Sequence, residues 1–212
     1  MFYVVRDKFA FVCTCLLKMS NSIILISGPA GVGKTTICDK LVKEFSPHLS
    51  RLVTATSRSP RVKEVDGVDY IFLSRDEFEK RISNEDFAEY EIIHGNYYGT
   101  LKKYLFETFS DQNLLINIDV NGAQSIQQIF LEFAGMNSKL LTIFIRPKSI
   151  KELETRLITR GTDSHEQIKR RILTAQHEIE QAFMFDLIID STCKELDYNL
   201  VKNFYLKFTG QK

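Results

Sequence analysis

Eight consecutive residues, Gly28-Pro29-Ala30-Gly31-Val32-Gly33-Lys34-Thr35, have the types and spacing that cradle a chain of phosphates. The glycines let successive backbone N–H groups turn inward around anionic oxygens, and a helix starting at the end of the run adds its positive N-terminal dipole. In this pattern, G-x-x-x-x-G-K-[ST], the lysine reaches the β- and γ-phosphates of a nucleoside triphosphate and the Thr35 hydroxyl holds Mg²⁺. The bland alternative is a glycine-rich turn with an incidental lysine. Context argues against it: the apolar run Ile23-Ile24-Leu25-Ile26 precedes the loop and a helical pattern follows it.

A second group lies downstream. Thr54-Ala55-Thr56-Ser57-Arg58-Ser59-Pro60-Arg61 sets two arginines three apart around a proline, and arginine forks take phosphate bidentately. Taken alone, such a pair is more often two solvated surface charges. Asp66-Gly67-Val68-Asp69-Tyr70 makes a turn into a strand, Glu89 sits in an alternating strand, and Gly95-Asn96-Tyr97-Tyr98-Gly99-Thr100 is a glycine-bounded aromatic turn. A tyrosine hydroxyl can donate to phosphate, although a single tyrosine is more often a packed ring with a wet tip.

The elements that must position these groups alternate. Ile23 to Ile26, Leu114 to Ile118, Leu140 to Ile145 and Leu187 to Ile189 are short apolar runs, as expected of strands buried on both faces. Between them the spacing predicts helices: Thr35 to Phe45 ended by Pro47; one marked by Ala123, Ile126, Phe130 and Phe133; one opened by a capping box at Ser149-Ile150-Lys151-Glu152 and closed near Gly161. A long helix follows through Ile168, Ile172, Ala175 and Ile179, and a closing helix has Leu196, Leu200, Phe204 and Phe208 as its apolar stripe. Strands alternating with helices give an α/β fold with a parallel sheet. Arg51 to Thr100 departs from that rhythm, with short strands at Leu52 to Thr56, Tyr70 to Leu73 and Phe87 to Ile93 and a helix capped by Ser74 and Glu77. This stretch is expected to be a small antiparallel insertion.

These motifs, in this order and spacing, resemble guanylate kinases. The resemblance rests on Gly28 to Thr35, Thr56-x-Arg58-x-Pro60-Arg61, Gly67-x-Asp69-Tyr70-x-Phe72, Glu89 and Gly95 to Gly99. It continues through Ile118-Asp119-x-x-Gly122, Arg156-Leu157-x-x-Arg160-Gly161-Thr162 and Arg171-x-x-x-Ala175, covering about residues 22 to 208. It implies a P-loop kinase core, a parallel sheet flanked by helices, carrying a small mixed α/β nucleotide-acceptor insertion and a helical lid. The implied organisation is an ATP-binding core at 22–52, 105–146 and 176–212, a GMP-binding insertion at 53–104 and a lid at 147–175, after an N-terminal extension at 1–21. It further implies transfer of the γ-phosphoryl of ATP to GMP with Mg²⁺. Arg58, Arg61, Tyr70 and Tyr98 would hold the GMP phosphate, Thr54, Glu89 and Thr100 would read guanine, and Asp119 would lie near GMP and the Mg²⁺ shell. Lys34, Arg58 and the lid arginines Arg156, Arg160 and Arg171 would serve catalysis. Two positions depart from the pattern: Asn117 stands where a carboxylate is usual, so a water-mediated Mg²⁺ contact there loses charge, and Asp190 stands where an Asn near the adenine is common.

Composition bounds the rest. The 212 residues are 44% hydrophobic and 26% charged, which excludes a disordered, collagen-like or coiled-coil chain. Lys plus Arg is 28 against 27 Asp plus Glu, so the sum gives no reason to expect a nucleic-acid or membrane surface. Cys13, Cys15, Cys38 and Cys193 have irregular spacing and are expected to be reduced thiols in a cytoplasmic protein. Phe9 to Leu17 is apolar but too short to span a bilayer and lacks a cleavage site, so it is expected to be an added segment, or to precede a natural start at Met19. His48, His94, His165 and His177 show no ligand spacing. Monomer and homodimer both stay open. Two other functions also stay open: a non-catalytic interaction domain of the same fold, against which the intact loop and arginines count, and a kinase for another nucleotide or a sugar bisphosphate, against which Glu89 counts.

Overall fold

The structure, a computed structural model, describes residues 21–93, 95–133, 139–161 and 163–211. The N-terminal segment with Cys13, Cys15 and Met19, together with His94 and Thr162, lies outside the described residues, as does the side chain of Phe133. The run before the loop is strand β1 (Ser22–Ser27), buried along its whole length. Helix α1 (Lys34–Phe45) begins at the loop lysine. Then come β2 (Leu49–Arg51), β3 (Ala55–Thr56), β4 (Ile71–Phe72), α2 (Arg75–Ser83), β5 (Phe87–Ile93), β6 (Asn96–Leu101), α3 (Lys102–Asp111) and β7 (Asn113–Asn117). The chain continues through α4 (Val120–Phe133), β8 (Lys139–Arg146), α5 (Ile150–Arg160), α6 (His165–Glu180), a 3₁₀ turn at Ala182–Met184, β9 (Leu187–Asp190) and α7 (Lys194–Thr209). No helix among the described residues is long and apolar enough to cross a membrane.

A five-stranded sheet has the order β2-β7-β1-β8-β9, with β8 and β9 parallel, and a four-stranded sheet has the order β4-β3-β6-β5. The expected α/β fold with a parallel sheet flanked by helices is what forms. The chain folds as two compact units. One contains Ser50–Ile116 and Asn121–Leu140, and the other Ile24–Leu49, Asn117–Val120 and Leu141–Lys212.

Four local expectations need correction. The strand expected over Leu52 to Thr56 is only Ala55–Thr56, β3, and Leu49–Arg51 before it is a separate strand, β2, of the other sheet. Leu52 N donates to Leu115 O while Thr54 O accepts from Ile71 N, so residues 52–54 carry the chain from one ladder to another. The small sheet is mixed rather than antiparallel, because β4 runs parallel to β3 while β6 runs antiparallel to both β3 and β5. The connection from Ser57 to Tyr70 is long enough to return the chain to the starting end, as a parallel pair requires. At α5 the Ser149 hydroxyl accepts from Glu152 N at 3.1 Å, but the Glu152 carboxylate is taken by Arg156 instead of closing the capping box. In α7 the buried face is Asp197, Tyr198, Val201 and Tyr205, while Leu196 and Leu200 are exposed.

The small sheet has its own core. Phe78 from α2 is fully buried and stacks on Phe87 and Tyr97 at 4.2 and 5.0 Å between ring centroids. Helix α2 is fixed by the expected Ser74 and Glu77 capping box, which aims Phe78 inward. Phe78→Ala should therefore cost about 3–5 kcal/mol, by loss of buried area and the cavity left behind. A urea titration checks this; a cost below about 1 kcal/mol would mean that the ring does not organise the insertion.

Candidate active site

In the unit holding the phosphate loop, β1 delivers the chain into a turn that only glycine permits at its first position. Gly28 has φ of +133°, and a Cβ there would come 2.3 Å from the Ile145 carbonyl oxygen. The Lys34 ammonium folds back over the turn and donates to the carbonyls of Gly28 and Pro29, the latter at 3.1 Å. Burial pushes its pKa down, opposed by the nearby carboxylates of Glu178 and Asp119. Burial likewise pushes the Glu178 carboxyl up, Lys34 pulls it back, and Asp119 reinforces the rise. The Asn117 amide donates to the Thr35 hydroxyl at 3.3 Å, bringing together two groups that the sequence assigned to one metal shell. Asp190 forms a two-point ion pair with Arg146 at 2.5 and 2.9 Å, which holds its carboxyl below the usual range.

The three arginines expected in a lid lie in this same unit. Arg156 is anchored by Glu152 and reaches the Val32 carbonyl of the loop at 3.3 Å. Arg160 closes α5 and Arg171 lies in α6, and both bind one carboxylate, Asp163, at 2.8 and 3.2 Å. That carboxylate is only 5% exposed.

In the other unit, β3, β4 and β6 assemble the residues expected to hold the acceptor nucleotide. Arg58 sits over the rings of Tyr70 and Phe72, 5.2 and 5.7 Å from their centroids, and Tyr70 meets Tyr98 edge to face at 6.2 Å. Glu64 clasps Arg58 by two bonds of 2.7 and 3.0 Å and accepts from the Arg61 backbone N–H at 2.7 Å. The Arg61 guanidinium approaches the same carboxylate at 3.9 Å. Burial works against the Arg58 charge, but Glu64 and the Tyr98 hydroxyl more than compensate, and its pKa is raised. Across β5 and β6, Glu89 stands directly opposite Thr100, because the pairing shifts by one residue between Phe87 and Glu89. That shift is a bulge, and it sets the two side chains on one face of the sheet. Tyr98, two residues from Thr100, shares the face. Gly99 is required between them: a Cβ there would lie 2.8 Å from the Glu89 carbonyl oxygen. Thr54 enters through its backbone, as acceptor for Ile71 N at 2.9 Å.

Among the described residues, four buried side-chain atoms lack a hydrogen-bond partner: Ser27 Oγ, Arg58 Nε, Thr100 Oγ1 and Arg171 Nε. Three of them belong to residues that the sequence marked for nucleotide binding. Buried polar atoms are ordinarily paired, so unmet ones clustering on such residues point to a ligand.

The guanylate kinase family profile matches residues 20–205. The chain belongs to the guanylate kinase family. It is 42% identical over 169 residues to the guanylate kinase of Porphyromonas gingivalis, covering 79% of this chain and 87% of the relative. It is 38% identical over 186 residues to that of Halalkalibacterium halodurans, covering 87% of each. The crystal structure of guanylate kinase from Anaplasma phagocytophilum superposes with a TM-score of 0.69 at 26% identity, covering 91% of this chain and 88% of that one. As a guanylate kinase family member the chain is a kinase, and the reading as a non-catalytic interaction domain is set aside. Three acidic residues of this guanylate kinase site went unnoticed in the sequence: Glu64, Asp163 and Glu178. For the first two the available signal was interleaving with the arginines, Glu64 three residues after Arg61 and Asp163 three after Arg160.

Proposed function

We propose that this chain transfers the γ-phosphoryl group of ATP to GMP, giving ADP and GDP, in the cytoplasm as part of purine nucleotide metabolism. The observation that carries the reading is the placement of the unmet buried donors on Arg58 and Arg171, with an unmet hydroxyl on Thr100. Phosphoryl transfer asks a protein for alignment and positive charge more than for covalent chemistry. In this reading the backbone N–H groups of the loop after Pro29 and the Lys34 ammonium hold the β- and γ-phosphates of ATP. Arg156, Arg160 and Arg171, in a lid over 147–175, gather around the transferred group and exclude water from it. Within the insertion at 53–104, Arg58, Arg61, Tyr70 and Tyr98 hold the GMP phosphate, while Thr54, Glu89 and Thr100 read the base, and Asp119 faces GMP.

The residues present also suit Mg²⁺. It prefers hard oxygen donors and takes few from protein, keeping phosphate oxygens and waters for the rest of its shell. Thr35 would supply its hydroxyl directly, with Asn117 and Asp119 acting through water. Bound with ATP, the ion neutralises charge on the β- and γ-oxygens.

Glu89 is the residue that selects guanine. A carboxylate accepts from both N1–H and the 2-amino group, whereas adenine offers neither donor and leaves the charge unpaired. Glu89→Gln should raise the GMP KM by about 10²-fold or more with a smaller change in kcat; an unchanged GMP KM would remove Glu89 from base reading. The reaction itself is tested by following ³¹P resonances after ATP, Mg²⁺ and GMP are mixed with the protein. ADP and GDP appearing in equal amounts is the expected result, and orthophosphate in place of GDP would contradict it.

A further inference from the structure

Two carboxylates stand behind the arginines rather than among the proposed nucleotide ligands, and the two sites share one feature, a buried arginine Nε without a partner. Glu64 takes both terminal nitrogens of Arg58, whose Nη1 also donates to the Ser59 carbonyl at 2.8 Å. The guanidinium plane is held further by the rings of Tyr70 and Phe72. Its Nε–H is left buried and without a partner. In the other unit Asp163 takes a terminal nitrogen of Arg171 and one of Arg160, and the Arg171 Nε is again buried without a partner.

We propose that Glu64 and Asp163 are positioning residues, Glu64 holding Arg58 by both terminal nitrogens and Asp163 holding Arg171 by one, so that each buried Nε–H is presented to a nucleotide phosphate. This rests on the reading of Arg58 and Arg171 as phosphate ligands and assigns what orients them. The opposing possibility is that each carboxylate occupies the arginine as a stand-in for phosphate and must be displaced. Burial and connectivity disfavour displacement. The Glu64 side chain is 18% exposed and that of Asp163 is 5% exposed, so expelling either arginine would strand a shielded charge. Glu64 is also bonded to the Arg61 backbone, so it fixes the loop that bears both arginines. Burial alone would push the Glu64 carboxyl up; the bonds from Arg58 and Arg61 outweigh that and hold it below the usual range, as a permanent counter-charge requires. A long, flexible arginine loses rotamer freedom on binding phosphate, and a fixed carboxylate removes that freedom beforehand.

The test is steady-state kinetics on Glu64→Gln and Asp163→Asn, both nearly isosteric, with each substrate varied in turn. Glu64→Gln is expected to raise the GMP KM about tenfold, the scale of a charged hydrogen bond, and to leave the ATP KM within about twofold. Asp163→Asn is expected to lower kcat about tenfold and leave the GMP KM within about twofold. In an Arg58→Ala background, Glu64→Gln is expected to raise the GMP KM by clearly less than it does alone, because only the Arg61 loop is left to position. A general structural role predicts instead that the two changes add and that both substrates suffer alike. A lower GMP KM in Glu64→Gln would show displacement, and an unchanged one would show no role; either overturns the proposal for that residue. Failure of the underlying reading looks different: Arg58→Ala would itself leave kcat and the GMP KM almost unaltered.

Discussion

Arg58→Ala lowers kcat by about 10²- to 10⁴-fold, the scale expected of an arginine that meets charge developing in a phosphoryl-transfer transition state. Three features of its environment support so large an effect. The guanidinium lies over two aromatic rings, is clasped by Glu64, and keeps a buried Nε–H with no partner. An alanine would remove the phosphate contact and strand Glu64, which is shielded from solvent on most of its surface. Arg58→Lys is expected to recover little. One ammonium cannot bond both Glu64 and a phosphate in the planar fork that this site is built around. Single-turnover measurement of GDP formation checks the prediction, and a loss below tenfold would remove Arg58 from the transferring site.

Lys34→Ala is the second large effect, an expected fall in kcat of about 10²- to 10³-fold, comparable to removing one preorganised donor from a developing oxyanion. The lysine already curls over the loop, donating to the carbonyls of Gly28 and Pro29. Arriving phosphates present stronger acceptors along the same path, and the nearby carboxylates of Glu178 and Asp119 help keep the ammonium charged against burial. Fluorescent-ATP binding alongside kcat separates binding from chemistry. A Lys34→Ala protein that turns over at a near-normal rate would contradict the loop assignment.

Much of this was legible in the sequence because it is local. A phosphate loop is eight adjacent residues between a buried strand and a helix, and β1 and α1 each begin one residue before the apolar run and the helical pattern place them. What was not legible depends on register and on through-space partners. The stripe Leu196, Leu200, Phe204 and Phe208 has the same helical spacing as Asp197, Val201 and Tyr205 beside it, so periodicity could not choose between them. The choice was made by Asp197, which accepts from Ser191 Oγ and Thr192 N and rotates α7 so that Tyr198 and Tyr205 face inward. Glu89 meets Thr100 only because of a one-residue bulge, which alternation does not reveal. Glu64 and Asp163 belong to none of the motifs, and only the folded loops show that each is shared between two arginines.

On the proposed reading the site phosphorylates a guanine monophosphate and not nucleotides in general. The most direct measurement is kcat/KM for ADP release with ATP as donor and GMP, IMP or AMP as acceptor, read in one coupled assay. GMP should exceed AMP by about 10⁴-fold or more, the discrimination that a site built on hydrogen bonds to the base can reach. IMP, which keeps N1–H but lacks the 2-amino group, should fall between them. Equal turnover of GMP and AMP, or ADP release unaffected by any acceptor, would contradict the account.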